Sequence, residues 1–292
     1  MPSTTTTAAH RSTGRFQRTV RQPRCRLTAK VLATKSVRIL RHNKRAMLPL
    51  SDDNSDRRLT PWVNYTLIGI NIFVFVFLQG MGSNEVFTNS FAAVPQEILS
   101  GQDIAGQLPL AGPHGSTTVI QLGETPIPVY LTLFTSMFMH GGFAHIAGNM
   151  LYLNIFGDNL EDSMGHGKYL IFYLFCGVVA GLSHVFCTVA MGGNALIPSL
   201  GASGAISGVL GGYMVLFPHK SITVLFLRQV MRVPAFACLG MWILFQLADS
   251  SGVLGGSPDA AGVAYAAHIG GFIAGLALVR LFAGEKRNQS YV

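Results

Sequence analysis

Apolar residues gather into six runs separated by polar stretches: roughly 62–80, 129–156, 169–191, 200–217, 235–247 and 263–282. The second is interrupted by His140-Gly141-Gly142 and resumes as a helix from Phe143 to Phe156. Spanning ~30 Å of hydrocarbon takes ~20 helical residues, so some runs fall short. Those around Ser203 and the double-glycine step are expected to be partly sunk in protein. The predicted architecture is an all-α polytopic membrane protein, a bundle of six transmembrane helices over residues 61–283. Residues 1–60 form a tail before it and 284–292 a short tail after it.

Composition agrees with a membrane protein. Charged residues make up 12% of the chain and mean hydropathy is +0.40, against about 25% charge in soluble domains. The net charge of +8 belongs to the tail. Residues 1–60 hold 14 Lys and Arg against three acids, whereas the remainder holds seven against ten. Residues 1–46 contain no acid and no sustained apolar stretch, which excludes a secretory signal. They read as a disordered basic arm on anionic lipid or as sequence upstream of a true start at Met47. An organelle transit peptide ranks behind these. A single aromatic, Phe16, lies among the arginines, too little stacking surface for bases, so nucleic-acid binding is not expected. The four cysteines (Cys25, Cys176, Cys187, Cys238) are scattered, without a CxxC pair, and read as buried hydrophobes.

Basic residues fix an orientation. They precede run one, separate runs two and three and runs four and five, and follow run six; the loops 81–128, 191–199 and 250–262 have none. With six spans, both termini are cytoplasmic, and runs two, four and six descend from the outer face. The expected location is a bacterial plasma membrane, ahead of an organelle inner membrane.

That topology puts four polar groups in one shallow layer. Ser203 opens run four, and His268 lies about 8 Å down run six at 1.5 Å per residue. His145 and Asn149, four apart, share a face of run two. Polar residues inside a membrane are costly and by default functional. Gly204, Gly208 and Gly212 strip one face of run four of side chains, and Gly271 and Gly275 do the same on run six, so the two backbones can approach. Serine needs a base to become nucleophilic, and histidine is the usual one. No carboxylate sits at that depth, so the reading is a Ser203–His268 dyad, its imidazole held by packing or another hydrogen bond. Free N–H groups at the start of run four, with His145 and Asn149, would face an oxyanion. Against this, His268 and Asn149 can each serve only as an interhelical hydrogen bond. For His140 structural support through the glycine turn and a direct role stand level. His166, His184 and His219 lie away from the layer. The soluble nucleophile elbow is not met, because position 205 is alanine. No metal motif occurs, no cofactor is expected, and the inverted repeats of a transporter are missing.

Taken together, HGGFAHIAGN at 140–149, GASG at 201–204 and AHIGGFIAG at 267–275 resemble the rhomboid intramembrane serine proteases over about residues 60–283. The resemblance implies a six-helix rhomboid-like bundle with Ser203 as nucleophile and His268 as general base. It gives His145, Asn149 and the Ser203 N–H as oxyanion hole, and His140 as support. It implies hydrolysis of peptide bonds in or near transmembrane helices of other membrane proteins, with lateral substrate access from the bilayer past run five or the first loop. Two departures stand out. Ser207 occupies a position where some members carry a tyrosine that stacks on the base, and the first loop lacks the family's Trp-Arg motif. A non-catalytic scaffold or chaperone for transmembrane segments is the rival reading. Nothing in the sequence sets the oligomeric state.

Overall fold

The computed structural model describes residues 47–111, 117–250 and 258–283. The expectations for residues 1–46 and 284–292 lie outside the described residues. Helices dominate, and each apolar run contains one. Helix α1 spans Trp62–Phe73 and continues through a π-helical turn, Val74–Leu78. Short helical turns over 129–138 precede α4, Phe143–Met164. Helices α5 (His166–Ala190), α6 (Ser203–Leu216), α7 (Ala235–Ser250) and α8 (Pro258–Phe282) complete the bundle.

Two helical stretches, His166–Ala190 and Tyr265–Phe282, are long and apolar enough to cross a membrane; 62–78, 129–138, 203–216 and 235–248 are shorter apolar helices. Helix α6, 14 residues, reaches about 21 Å and is buried continuously from Gly204 to Tyr213. It is the central post of the bundle. Large apolar side chains lie exposed around the outside, among them Phe77, Phe186 and Leu281, a surface suited to lipid and not to water.

Strands correct the all-α expectation. The stretch between runs four and five folds into a hairpin, β4 (Ser221–Phe226) and β5 (Gln229–Pro234), and β1 (Leu48–Asp52) pairs antiparallel with β4 to give the order β1-β4-β5. Ile222 and Val224 bury one face of β4 completely. The hairpin turn is Leu227-Arg228, both with positive φ, where Asn-Gly would be the usual signal. The first loop, expected to be only polar connection, contains α2 (Glu85–Phe91), α3 (Pro95–Ser100) and a hairpin of β2 (Gly106–Ala111) with β3 (Thr117–Leu122). It is pinned to the loop before Ser203 by the Ala93–Ser199 bridge and by the Gln96 N–H donating to the Ala195 carbonyl at 2.9 Å.

The two long-range contacts that set the bundle differ in kind. At one end polar groups clamp α4 to the chain entering α1. Glu161 accepts the Val63 and Asn64 N–H groups at 2.9 and 2.7 Å, capping a helix start that follows Pro61 and satisfying donors no helix satisfies itself. Arg57 pairs with Asp158, Asp162 accepts the Arg58 and Leu59 amides, and the Tyr213 hydroxyl donates to Asp52 at 2.7 Å. In the middle, α8 packs backbone to backbone on α6. A Cβ on Gly271 would collide with the Gly204 carbonyl, and one on Gly275 with that of Gly208. Gly212 continues the series against Val279, with Leu160 and Phe172 beside it, and Gly211 adds a further close approach to the Phe272 carbonyl and Leu276.

Two measurements follow. Gly275→Ala should lower stability by about 1–3 kcal/mol, since nothing there can yield without moving backbone. Gly69→Ala, which opens onto free space, should be neutral or stabilising by up to about 1 kcal/mol; thermal unfolding in detergent compares them. Glu97 is buried on α3, and desolvation pushes its carboxyl up to about 7 despite the Ile104 amide it accepts. The fold therefore holds a proton that the unfolded chain loses above its ordinary value of 4.5. Stability is greatest below that value and declines as pH rises to about 7. Glu97→Gln should flatten this decline in unfolding scans across that window.

Candidate active site

Helix α6 starts at Ser203, directly after Gly201-Ala202. Gly201 has φ of +126° and donates its N–H to the Ser136 carbonyl at 2.8 Å. That turn sets the hydroxyl at the rim of the bundle, on the first turn of a helix whose leading N–H groups have no intrahelical acceptor. His268 projects from α8 one turn before Phe272, and glycine packing brings its ring to Ser203. The His268 Nε2 and the Ser203 Oγ are 2.8 Å apart.

The other nitrogen of His268 is held too. Nδ1 lies 2.8 Å from Oε1 of Gln246 on α7. Trp242, one turn earlier on α7, stands against both His268 and Phe272 with ring centroids 6.1 Å away, and Tyr265 meets the imidazole edge-on. Ser207, at the position where a stacking tyrosine was noted as missing, turns its hydroxyl back to the Ser203 carbonyl at 2.6 Å. The ring is thus positioned from α7 and not from α6.

His145 and Asn149 both reach the site, by different arrangements. The His145 Nδ1 accepts the Gly141 N–H at 3.4 Å, which leaves the proton on Nε2. A Cβ at Gly201 would sit 2.9 Å from His145 Nε2 and 3.6 Å from Ser203 Oγ, so imidazole and hydroxyl share the small space above that glycine. The Asn149 amide donates to His140 Nε2 at 2.9 Å; an NH₂ has two hydrogens, so one remains. His140 is fully buried behind Asn149. Its backbone is gripped by Gln79 at the end of α1: the His140 N–H donates to Gln79 Oε1 at 2.9 Å, and Gln79 Nε2 returns a bond to the His140 carbonyl at 3.0 Å. His166 lies at the polar clamp, against Glu161.

Ser203, His268, His145, Asn149 and Gln246 line one cavity of about 280 Å³, together with the apolar Ile206, Leu210 and Trp242 and with Tyr152. A hydroxyl beside an imidazole, with hydrogen-bond donors across the cavity, is an arrangement capable of acyl transfer. Gln246, Trp242 and Gln79 were not singled out from the sequence. Gln246 had a signal: it is the one amide side chain in the run 235–247, and the rule that marks His268 as costly in lipid marks it as well.

The chain is similar to known proteins over part of its length. Rhomboid protein 1, mitochondrial, of Saccharomyces cerevisiae is 33% identical over 146 residues, 50% of this chain and 40% of that protein. The rhomboid protease GluP of Bacillus subtilis is 35% identical over 150 residues, 50% of this chain and 25% of its own length. The mouse presenilin-associated rhomboid-like protein, mitochondrial, is 31% identical over 133 residues, 43% and 35% of the two chains. The matched stretch is thus less than half the length of each of these three relatives. Residues 128–285, more than half of the chain and containing every cavity-lining side chain, match the model of the Rhomboid domain, and the chain belongs to the rhomboid family.

Proposed function

We propose that this chain is an intramembrane serine endopeptidase, cutting peptide bonds in or near the transmembrane segments of other membrane proteins. The observation that carries the reading is the 2.8 Å approach of Ser203 Oγ to His268 Nε2 on the wall of one cavity. As Ser203 Oγ bonds to the scissile carbonyl carbon, its proton passes to His268 Nε2. Negative charge develops on the carbonyl oxygen, where His145 Nε2–H, the remaining Asn149 hydrogen and the first N–H groups of α6 would meet it. Collapse of the tetrahedral species breaks the C–N bond, and the imidazolium protonates the departing amine. Water then hydrolyses the acyl-serine with the same histidine as base. His140 serves as the post that orients Asn149.

The GluP relative is named a protease, which supports this activity; two of the three relatives are named mitochondrial. With the acid-free, arginine-rich residues 1–46, those names support an organelle membrane over a bacterial one.

Full-length protein in detergent should be labelled by a fluorophosphonate, which forms a Ser203 Oγ–P bond as fluoride leaves. Ser203→Ala should abolish labelling and His268→Ala should reduce it at least about 10²-fold. Absence of labelling in folded wild type would favour the scaffold reading. His145→Ala should retain the Ser203–His268 pair yet lower turnover of a transmembrane-segment substrate about 10²-fold or more, read as kcat.

A further inference from the structure

A histidine can act as base toward Ser203 only if Nε2 is bare, and the tautomer is decided by what faces Nδ1. Here that group is Gln246, whose Oε1 lies 2.8 Å from Nδ1. An amide oxygen accepts only, so it holds the proton on Nδ1 and leaves Nε2 open to the serine hydroxyl. An amide nitrogen in the same place would enforce the opposite tautomer and disable the base. Trp242, four residues before Gln246 and so on the same face of α7, sets the ring plane between His268 and Phe272. Among the described residues, the other titratable groups facing His268 are His145 across the cavity, His184 on α5, contrary to its expected place away from the layer, and Tyr265 on its own helix. None of them is an acceptor carboxylate, so the orienting bond falls to Gln246.

We infer that Gln246 is a positioning residue, a neutral third member that fixes the tautomer and orientation of His268 from α7. The inference rests on the serine-protease reading above. Unlike the aspartate of a Ser-His-Asp triad, it offers no negative charge to the imidazolium, so its contribution comes from tautomer and geometry alone. The carbonyl of Gln246 keeps one acceptor lone pair on Nδ1–H throughout the cycle, and no proton leaves the imidazole on that side.

The test separates an acceptor from a space-filler. Gln246→Met keeps the length and loses the acceptor; Gln246→Glu keeps an acceptor oxygen whether ionised or protonated. Each is made in the full-length chain, checked for unchanged thermal unfolding, and reacted with a small fluorophosphonate so that the maximal inactivation rate and the half-saturating concentration are read separately. Gln246→Met should slow the maximal rate about 10–100-fold with half-saturation unchanged, and Gln246→Glu should recover it to within about threefold. Equal rates for wild type and Gln246→Met, or Met outperforming Glu, overturns the inference. Nitrogen-15 spectra of histidine-labelled protein supply a readout free of activity. The His268 signal, assigned by its loss in His268→Ala, should show a protonated Nδ1 and bare Nε2 in wild type and mixed tautomers in Gln246→Met; a proton on Nε2 in wild type overturns the inference as well. Wild type that shows no Ser203-dependent labelling defeats the protease reading instead, and the spectra then still decide the tautomer.

Discussion

Backbone lying on backbone is the constraint from which the site follows. Gly271 and Gly275 of α8 leave no room for a Cβ against the carbonyls of Gly204 and Gly208, and that closeness delivers a hydrogen bond between side chains on two different helices. In lipid there is little hydrophobic drive between apolar helices, so close packing of small residues has to supply the association. The same contact explains why the serine helix is so deeply enclosed. A helix of about 21 Å cannot meet both faces of a bilayer, and α6 is surrounded by protein along most of its length. The polar group at its Ser203 end can then open onto a cavity, and need not open onto hydrocarbon.

At the other end of α6 the structure is held by charge and hydrogen bonds. Tyr213, about 15 Å along the helix from Ser203, donates to Asp52 of β1, and β1 is itself a strand of the sheet that joins α6 to α7. Glu161 and Asp162 gather the amides of residues 58–64. This polar layer fixes α1 and α4 where the glycine contacts do not reach. It also gives the segment before the first helix a definite place, through the carboxyl of Asp52, which desolvation holds up at about 6. The site and the clamp therefore sit at opposite ends of one rigid post.

Much of this was legible because membrane burial makes polar residues conspicuous. His268, His145 and Asn149 stand out in apolar runs. What escaped the reading has physical reasons. The β4–β5 hairpin turns on Leu227-Arg228, which carries none of the usual turn chemistry, although Ile222 and Val224 alternate as a strand should. Gly211 escapes a reading built on four-residue spacing, because its contact with the Phe272 carbonyl lies outside the 204-208-212 series. Gln246 lies one residue from the end of its apolar run, and an isolated amide near a run's end reads as a boundary until its partner is known.

The sequence by itself determined the six apolar runs, the glycine faces on runs four and six, and the presence of Ser203, His145, Asn149 and His268 on three alternate helices. These are local properties: hydropathy, helical period and side-chain chemistry each act within a few residues. Tertiary structure alone decided which nitrogen of His268 meets which partner, that Asn149 leans on His140, and that the ring is steadied from α7. Such choices depend on how helices rotate and approach one another. That is set by the sum of glycine contacts, capping carboxylates and sheet pairing across the whole bundle, and no single stretch of chain encodes it.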